Sequence, residues 1–97
     1  MRRKEDLHKI INHYGSMSQV MMLFEEMSEL TKAISKYVRK QATANDVAEE
    51  IADVQIMLDQ MKLIFAVDEK ALIKFMSMKI DRTIERMNDE DNSVSEP

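Results

Sequence analysis

The chain predicts an all-α fold, a helical bundle of three to four helices, on three observations. Its 97 residues include one glycine and one proline, too few turn residues for a sheet of several strands. Ala, Leu, Met, Glu and Lys, all good helix formers, are abundant. Along most of the sequence, apolar residues return at steps of three and four, the period of one buried helix face.

The elements follow in order. A short amphipathic segment, roughly Glu5 to Tyr14, ends at Gly15, a natural residue for a left-handed helix stop. Ser16 and Gln19 read as a capping box, the hydroxyl accepting from the third amide and the glutamine returning to the cap. A long second helix then carries Val20, Leu23, Met27, Leu30, Ile34 and Val38 and is expected to run to about Lys40. Thr43, Asn45 and Asp46 compete well for backbone hydrogen bonds, which places a turn over Gln41 to Asp46. The third helix has Val47, Ile51, Val54, Leu58 and Met61 as its main stripe. It is so apolar between Ile51 and Leu58 that burial on more than one side is expected. Asp68 can cap a fourth helix bearing Leu72, Phe75, Met76, Met78, Ile80, Ile84 and Met87. The polar residues Asp89 to Pro97 read as a disordered acidic tail after a single domain over 1–88. Two long helices joined by a short turn should lie antiparallel, with the fourth across them.

The composition sets bounds on function. With 18 acidic against 14 basic residues the net charge is -4, which argues against a protein that grips a nucleic acid polymer. Without cysteine there is neither a disulfide framework nor a thiolate zinc site. No segment approaches the roughly 20 apolar residues of a membrane span, and Met1-Arg2-Arg3-Lys4 leads into Glu5 and Asp6 instead of an apolar secretory core. A cytoplasmic protein with no membrane partner is the expectation. A monomer this small buries only about 60 to 65% of its unfolded surface, so a partner subunit is expected to help.

The informative residues are acidic. On the second helix Glu26 and Glu29 are neighbours at i, i+3, and Glu25 joins Glu29 at i, i+4. Glu26 also borders the apolar stripe, one turn from Leu23 and Leu30. Glu50 and Asp53 repeat the i, i+3 pattern on the third helix, and Asp53 is the lone charge in an apolar octet. A carboxylate taken out of water without a partner costs several kcal/mol, of order ~5, so a cation is expected to compensate it. If the two helices are antiparallel, Glu26, Glu29, Glu50 and Asp53 sit at similar heights and can converge. Oxygen-only ligation of that kind suits Mg2+, with Mn2+ as a substitute, and magnesium typically shares its shell with water and phosphates.

The pattern Glu26-x-x-Glu29, then residues 30 to 49, then Glu50-x-x-Asp53 resembles the signature of the all-α nucleoside triphosphate pyrophosphohydrolases, which include MazG, dimeric dUTPases and phosphoribosyl-ATP pyrophosphatase. Glu25-Glu26-Met27-Ser28-Glu29-Leu30 is similar to the first motif of that family. Glu49-Glu50-Ile51-Ala52-Asp53-Val54 is similar to the second, with Ala52 where glycine is frequent. The resemblance covers about residues 12 to 87. It implies a MazG-like fold in which Glu26, Glu29, Glu50 and Asp53 hold the metal, with Glu25 a further ligand or the group that orients water. It implies hydrolysis of a nucleoside triphosphate between the α and β phosphates, giving monophosphate and pyrophosphate, as nucleotide-pool sanitation. Lys79, Arg82 and Arg86, at i, i+3 and i+7 on the fourth helix, are similar to the basic third motif and would grip the phosphates. Gln19 and Asn12 stand where relatives often place residues near sugar or base. Assembly as a homodimer or dimer of dimers completes the implication.

Plainer readings stand beside these. A charge run on a helix is usually a solvated face, a basic face can snorkel over a core, and methionines are more often adaptable packing than a binding surface. The alternative function is a non-catalytic helical module: one that binds proteins leaves Asp53 unexplained, whereas one that binds nucleotides without hydrolysing them would retain all four ligands.

Overall fold

The structure is a computed structural model that describes residues 3–95, all of whose regular elements are helices: α1 (Lys4–Tyr14), α2 (Ser16–Val38), α3 (Ala44–Ile64) and α4 (Glu69–Ser95). No helix among the described residues is long and apolar enough to cross a membrane. The chain divides into two units, residues 1–66 and 67–97, each of which is described by itself.

In the first unit each joint has a local cause. Gly15 at φ 94° both stops α1 and starts α2. Its N–H donates to the Ile11 carbonyl at 2.7 Å, and its own carbonyl accepts from Gln19 N–H at 3.1 Å. Only glycine reaches positive φ without a Cβ penalty. Because this joint is a single residue, Ser16 is already the first residue of α2. The N-cap is Gly15, no side chain caps the helix, and the expected Ser16–Gln19 capping box does not form.

At its far end α2 stops at Val38, two residues short of expectation, with a Schellman closure. Gln41 N–H donates to the Lys36 carbonyl at 2.7 Å and Lys40 N–H to the Tyr37 carbonyl at 3.0 Å. Lys40 takes the left-handed conformation at φ 61°, a position usually given to glycine. Thr43 then caps α3 reciprocally with Asp46. Thr43 Oγ1 accepts from Asp46 N–H at 3.2 Å, and Asp46 Oδ2 accepts from Thr43 N–H at 2.8 Å. The turn expected over Gln41 to Asp46 is therefore tighter, and its last three residues are already the first turn of α3.

The pairing of α2 with α3 is antiparallel, as the short turn predicts. Near the turn Asp46 lies within electrostatic reach of Lys36, whereas farther along Glu50 and Asp53 meet Glu26. The α2 line turned toward α3 holds Gln19, which is buried, and Leu23, Glu26, Leu30 and Ala33, which are half-buried. On α3 the opposed line is Glu50, Asp53, Met57, Gln60 and Ile64. It runs beside the stripe expected from the sequence, of which Met61 is buried, Val47 and Val54 are half-buried, and Ile51 and Leu58 are 49% and 41% exposed. Burial of α3 on more than one side is confined to its far end, where Met57, Gln60 and Met61 are buried and both α1 and α2 pack against it. The seam took the carboxylates and left the most apolar line outside.

The small core lies where α1 meets the pair. Leu7 and Ile11 of α1 and Met57 and Met61 of α3 are its buried apolar side chains, with Gln19 and Gln60 buried among the polar ones. In the second unit Asp68 caps α4, its Oδ1 accepting from Lys70 N–H at 3.2 Å and its carbonyl from Leu72 N–H at 3.0 Å. Helix α4 continues through Ser95, so residues 89–95 are helical instead of forming the loose tail expected from their polarity. No glycine or proline interrupts them before Pro97, and polarity alone does not end a helix. Glu96 and Pro97 lie outside the described residues.

The reciprocal cap makes a prediction. Thr43→Ala should cost about 1 kcal/mol of stability in urea unfolding. The Asp46 carboxyl is held below its ordinary value, first by the Thr43 backbone N–H and then by the Thr43 side chain. Its contribution is therefore present above the unfolded-state value of about 3.9 and is lost as pH falls through the lower folded value. An Asp46→Asn variant should show a correspondingly weaker acid dependence in that window. Equal acid profiles for the variant and the wild type would contradict this.

Candidate metal centre

Helix geometry brings the acidic residues together from two sides. Glu26 and Glu29 are successive turns of α2, Glu50 and Asp53 successive turns of α3, and the antiparallel register sets the pairs level. Glu26, Glu50 and Asp53 each offer a carboxylate oxygen, and these oxygens all lie within 4.8 Å of one another. Glu26 and Glu50 are half-buried. Asp53 is exposed, which corrects the expectation that its carboxylate is taken out of water: of the apolar residues around it only Met57 is buried, and Ile51, Ala52, Ile56 and Leu58 are exposed.

Glu29 stands outside this triad. Its Oε1 is 3.6 Å from Lys32 Nζ in an exposed ion pair. It nevertheless lines, with Glu50, a cleft of about 250 Å³ near the turn, whose other walls include Lys32, Lys36, Asp46 and Glu49. Glu25 is exposed too and shares with Phe24, Glu26, Ser28 and Glu29 a shallow depression on α2.

The electrostatics tie the group together. The Glu26 carboxyl is raised above its ordinary value, first by desolvation and then by repulsion from Asp53, Glu50, Glu29 and Glu25, in that order. All five carboxylates singled out in the sequence therefore act on one another at Glu26. The ion pairs Arg3–Asp6, Lys32–Glu29 and Lys62–Asp59 do not engage the triad. The local field favours a cation.

The donor set fits a hard divalent ion. Two oxygens on opposite sides of magnesium stand about 4.2 Å apart, twice a bond of about 2.1 Å, and calcium spans roughly 5 Å. Oxygens already within 4.8 Å need only side-chain adjustment to reach either spacing.

The remaining expected site residues are placed less tightly. Gln19 is buried at 5% exposure and sits two turns before Glu26, about 10 Å along the axis, while Asn12 is exposed on α1. Neither joins the carboxylates. Lys79, Arg82 and Arg86 are exposed along one side of α4, in the second unit. The residues missed in the sequence are Lys32 and Lys36 of the cleft. They follow Glu29 at i+3 and i+7, the same spacing that marked Glu26 and Glu29, so the signal was present. Gln60 was also missed. It is 2% exposed and its Oε1 has no hydrogen-bond partner, while its Nε2 faces Met57 Sδ at 3.7 Å. Nothing in the sequence distinguishes it from a surface glutamine.

No protein-family model, curated protein or solved structure matches the chain.

The raised Glu26 carboxyl yields a test with a fixed sign. With a folded value above the unfolded one, the folded state holds more proton in the window between them, so this group's contribution falls as pH rises from about 4.5. In EDTA, Glu26→Gln should unfold at higher denaturant than the wild type at pH 7, with the gap closing toward pH 4.5. A variant less stable than wild type at pH 7 would contradict the repulsion.

Proposed function

We propose that the chain is a magnesium-dependent nucleoside triphosphate pyrophosphohydrolase that assembles as a homodimer or dimer of dimers and acts in nucleotide-pool sanitation. The observation that carries the reading is the convergence of Glu26, Glu50 and Asp53 from two helices, with their oxygens within 4.8 Å. The sequence pattern Glu26-x-x-Glu29 with Glu50-x-x-Asp53, and its resemblance to the MazG-like signature, supply the substrate class.

In this reading Glu26, Glu50 and Asp53 hold the cation, and Glu29 joins when its exposed pair with Lys32 opens, a pair worth no more than about 1 kcal/mol. Bound magnesium would supply charge neutralisation on the phosphates and acidify a bound water. The chain's own residues do the rest. Glu25, exposed one residue from Glu26, accepts the proton of the attacking water as a general base. By the resemblance alone, Lys79, Arg82 and Arg86 of the second unit are the residues proposed to bind phosphate. The proton goes to Glu25, the α–β phosphoanhydride bond breaks, and no covalent intermediate on the protein is required.

The test is release of pyrophosphate from a panel of canonical and modified nucleoside triphosphates, with magnesium and then with EDTA. Magnesium-dependent release of pyrophosphate with a monophosphate is expected. Glu29→Gln, Glu50→Gln and Asp53→Asn should each lower turnover by at least about 100-fold while keeping helical circular dichroism. Magnesium binding with no turnover of any triphosphate would favour the non-catalytic nucleotide-binding module.

A further inference from the structure

Lys32 and Lys36 continue a row that Glu29 begins. At about 100° per residue the i+7 position falls back within about 20° of its start and the i+3 position about 60° aside, so the three residues share one face of α2. At about 1.5 Å per residue, Lys32 stands about 4.5 Å and Lys36 about 10.5 Å beyond Glu29 toward the turn. All three line the cleft of about 250 Å³, and α3 supplies Asp46, Glu49 and Glu50 to its other wall. Glu50 belongs to the carboxylate triad as well. The cleft therefore begins at the triad and runs past two ammonium groups toward the turn.

Its charges are held with unequal strength. Asp46 is committed to the start of α3, where its Oδ2 accepts from Thr43 N–H at 2.8 Å, and Lys36 acts on that carboxylate through space. Glu29 Oε1 is 3.6 Å from Lys32 Nζ, with the two side chains 53% and 65% exposed. A pair this open is screened by water and holds by no more than about 1 kcal/mol. Glu29, Asp46, Glu49 and Glu50 outnumber Lys32 and Lys36, so the recess by itself repels an anion. When Glu29 turns from Lys32 to a cation at the triad, that excess is offset and the Lys32 ammonium is released into the cleft.

We propose that this cleft is the phosphate arm of the site, in which Lys32 and Lys36 take the outer phosphates of a metal-bound polyphosphate and Glu29, by exchanging Lys32 for the cation, admits it. The inference rests on the reading of Glu26, Glu50 and Asp53 as the cation site, and it gives the first unit a phosphate grip distinct from Lys79, Arg82 and Arg86. A chain of phosphates is the ligand that fits both ends, because its oxygens serve a hard cation and lysine ammonium groups alike. A lone carboxylate would reach only one of them.

Calorimetric titration of the full chain with inorganic pyrophosphate, at saturating magnesium and then in EDTA, tests this. The wild type should bind pyrophosphate with magnesium and at least about 10-fold more weakly without it. Lys32→Gln and Lys36→Gln should each weaken the magnesium-supported binding about 10-fold, the loss of one charge-assisted hydrogen bond, and Lys32→Arg and Lys36→Arg should recover most of it. Lys9→Gln, at an exposed position on α1, should leave it unchanged. Magnesium alone should bind Lys32→Gln at least as tightly as the wild type, because Glu29 then has no competing partner. Equal pyrophosphate affinity in the wild type and a Lys32→Gln, Lys36→Gln double variant, or equal affinity with magnesium and in EDTA, would overturn the proposal while magnesium binding and triphosphate turnover stand. A wild type that does not bind magnesium would bring down the functional reading and this inference together.

Discussion

The antiparallel register of α2 against α3 is the constraint on which the rest depends. It is fixed by five residues, Arg39 to Thr43, in which a left-handed Lys40 closes one helix and the Thr43–Asp46 reciprocal cap opens the next. Side chains at matched distances from that turn must meet. The register therefore sets Asp46 near Lys36 at one end and Glu50 and Asp53 beside Glu26 farther on. Shifting it by one helical turn would spread the carboxylates along the seam and remove the repulsion that raises Glu26.

That repulsion is a cost the fold accepts in a prominent place. The line α3 presents to α2 begins with Glu50 and Asp53, while the more apolar Ile51 and Leu58 are left outside. A sequence selected only for a stable hairpin would reverse the two, since apolar burial stabilises and like charges at a seam oppose it. Under the proposed function the carboxylates at the seam are given to a cation.

Much of the fold was legible in the sequence, because helix period, scarce glycine and capping chemistry act locally. Gly15, the Thr43–Asp46 region and Asp68 mark their boundaries in the structure. The expectations that failed concern context. Ser16 could not cap a helix it had already joined, and the polar residues 89–95 remained helical for want of a breaker. The acidic pairs were legible from their i, i+3 spacing, and three of the four expected ligands do converge. What a spacing rule could not tell was which of two adjacent stripes would face the partner helix. Of the stripe Val47, Ile51, Val54, Leu58 and Met61, only Met61 is buried, while Ile51 and Leu58 are exposed beside a line that carries Glu50, Asp53 and Met57. For the same reason Asp53, expected in a desolvated setting, is exposed.

Glu26, Glu50 and Asp53 are proposed to form one divalent-cation site whose binding offsets their mutual repulsion. Thermal unfolding across a magnesium titration tests it most directly, because a ligand that binds only the folded state adds stability as RT ln(1 + [L]/Kd). The account predicts a midpoint that climbs with magnesium for the wild type and stays flat for a Glu26→Gln, Glu50→Gln, Asp53→Asn triple variant that starts higher in EDTA. A wild-type midpoint indifferent to magnesium, or one that rises equally in the triple variant, would contradict it.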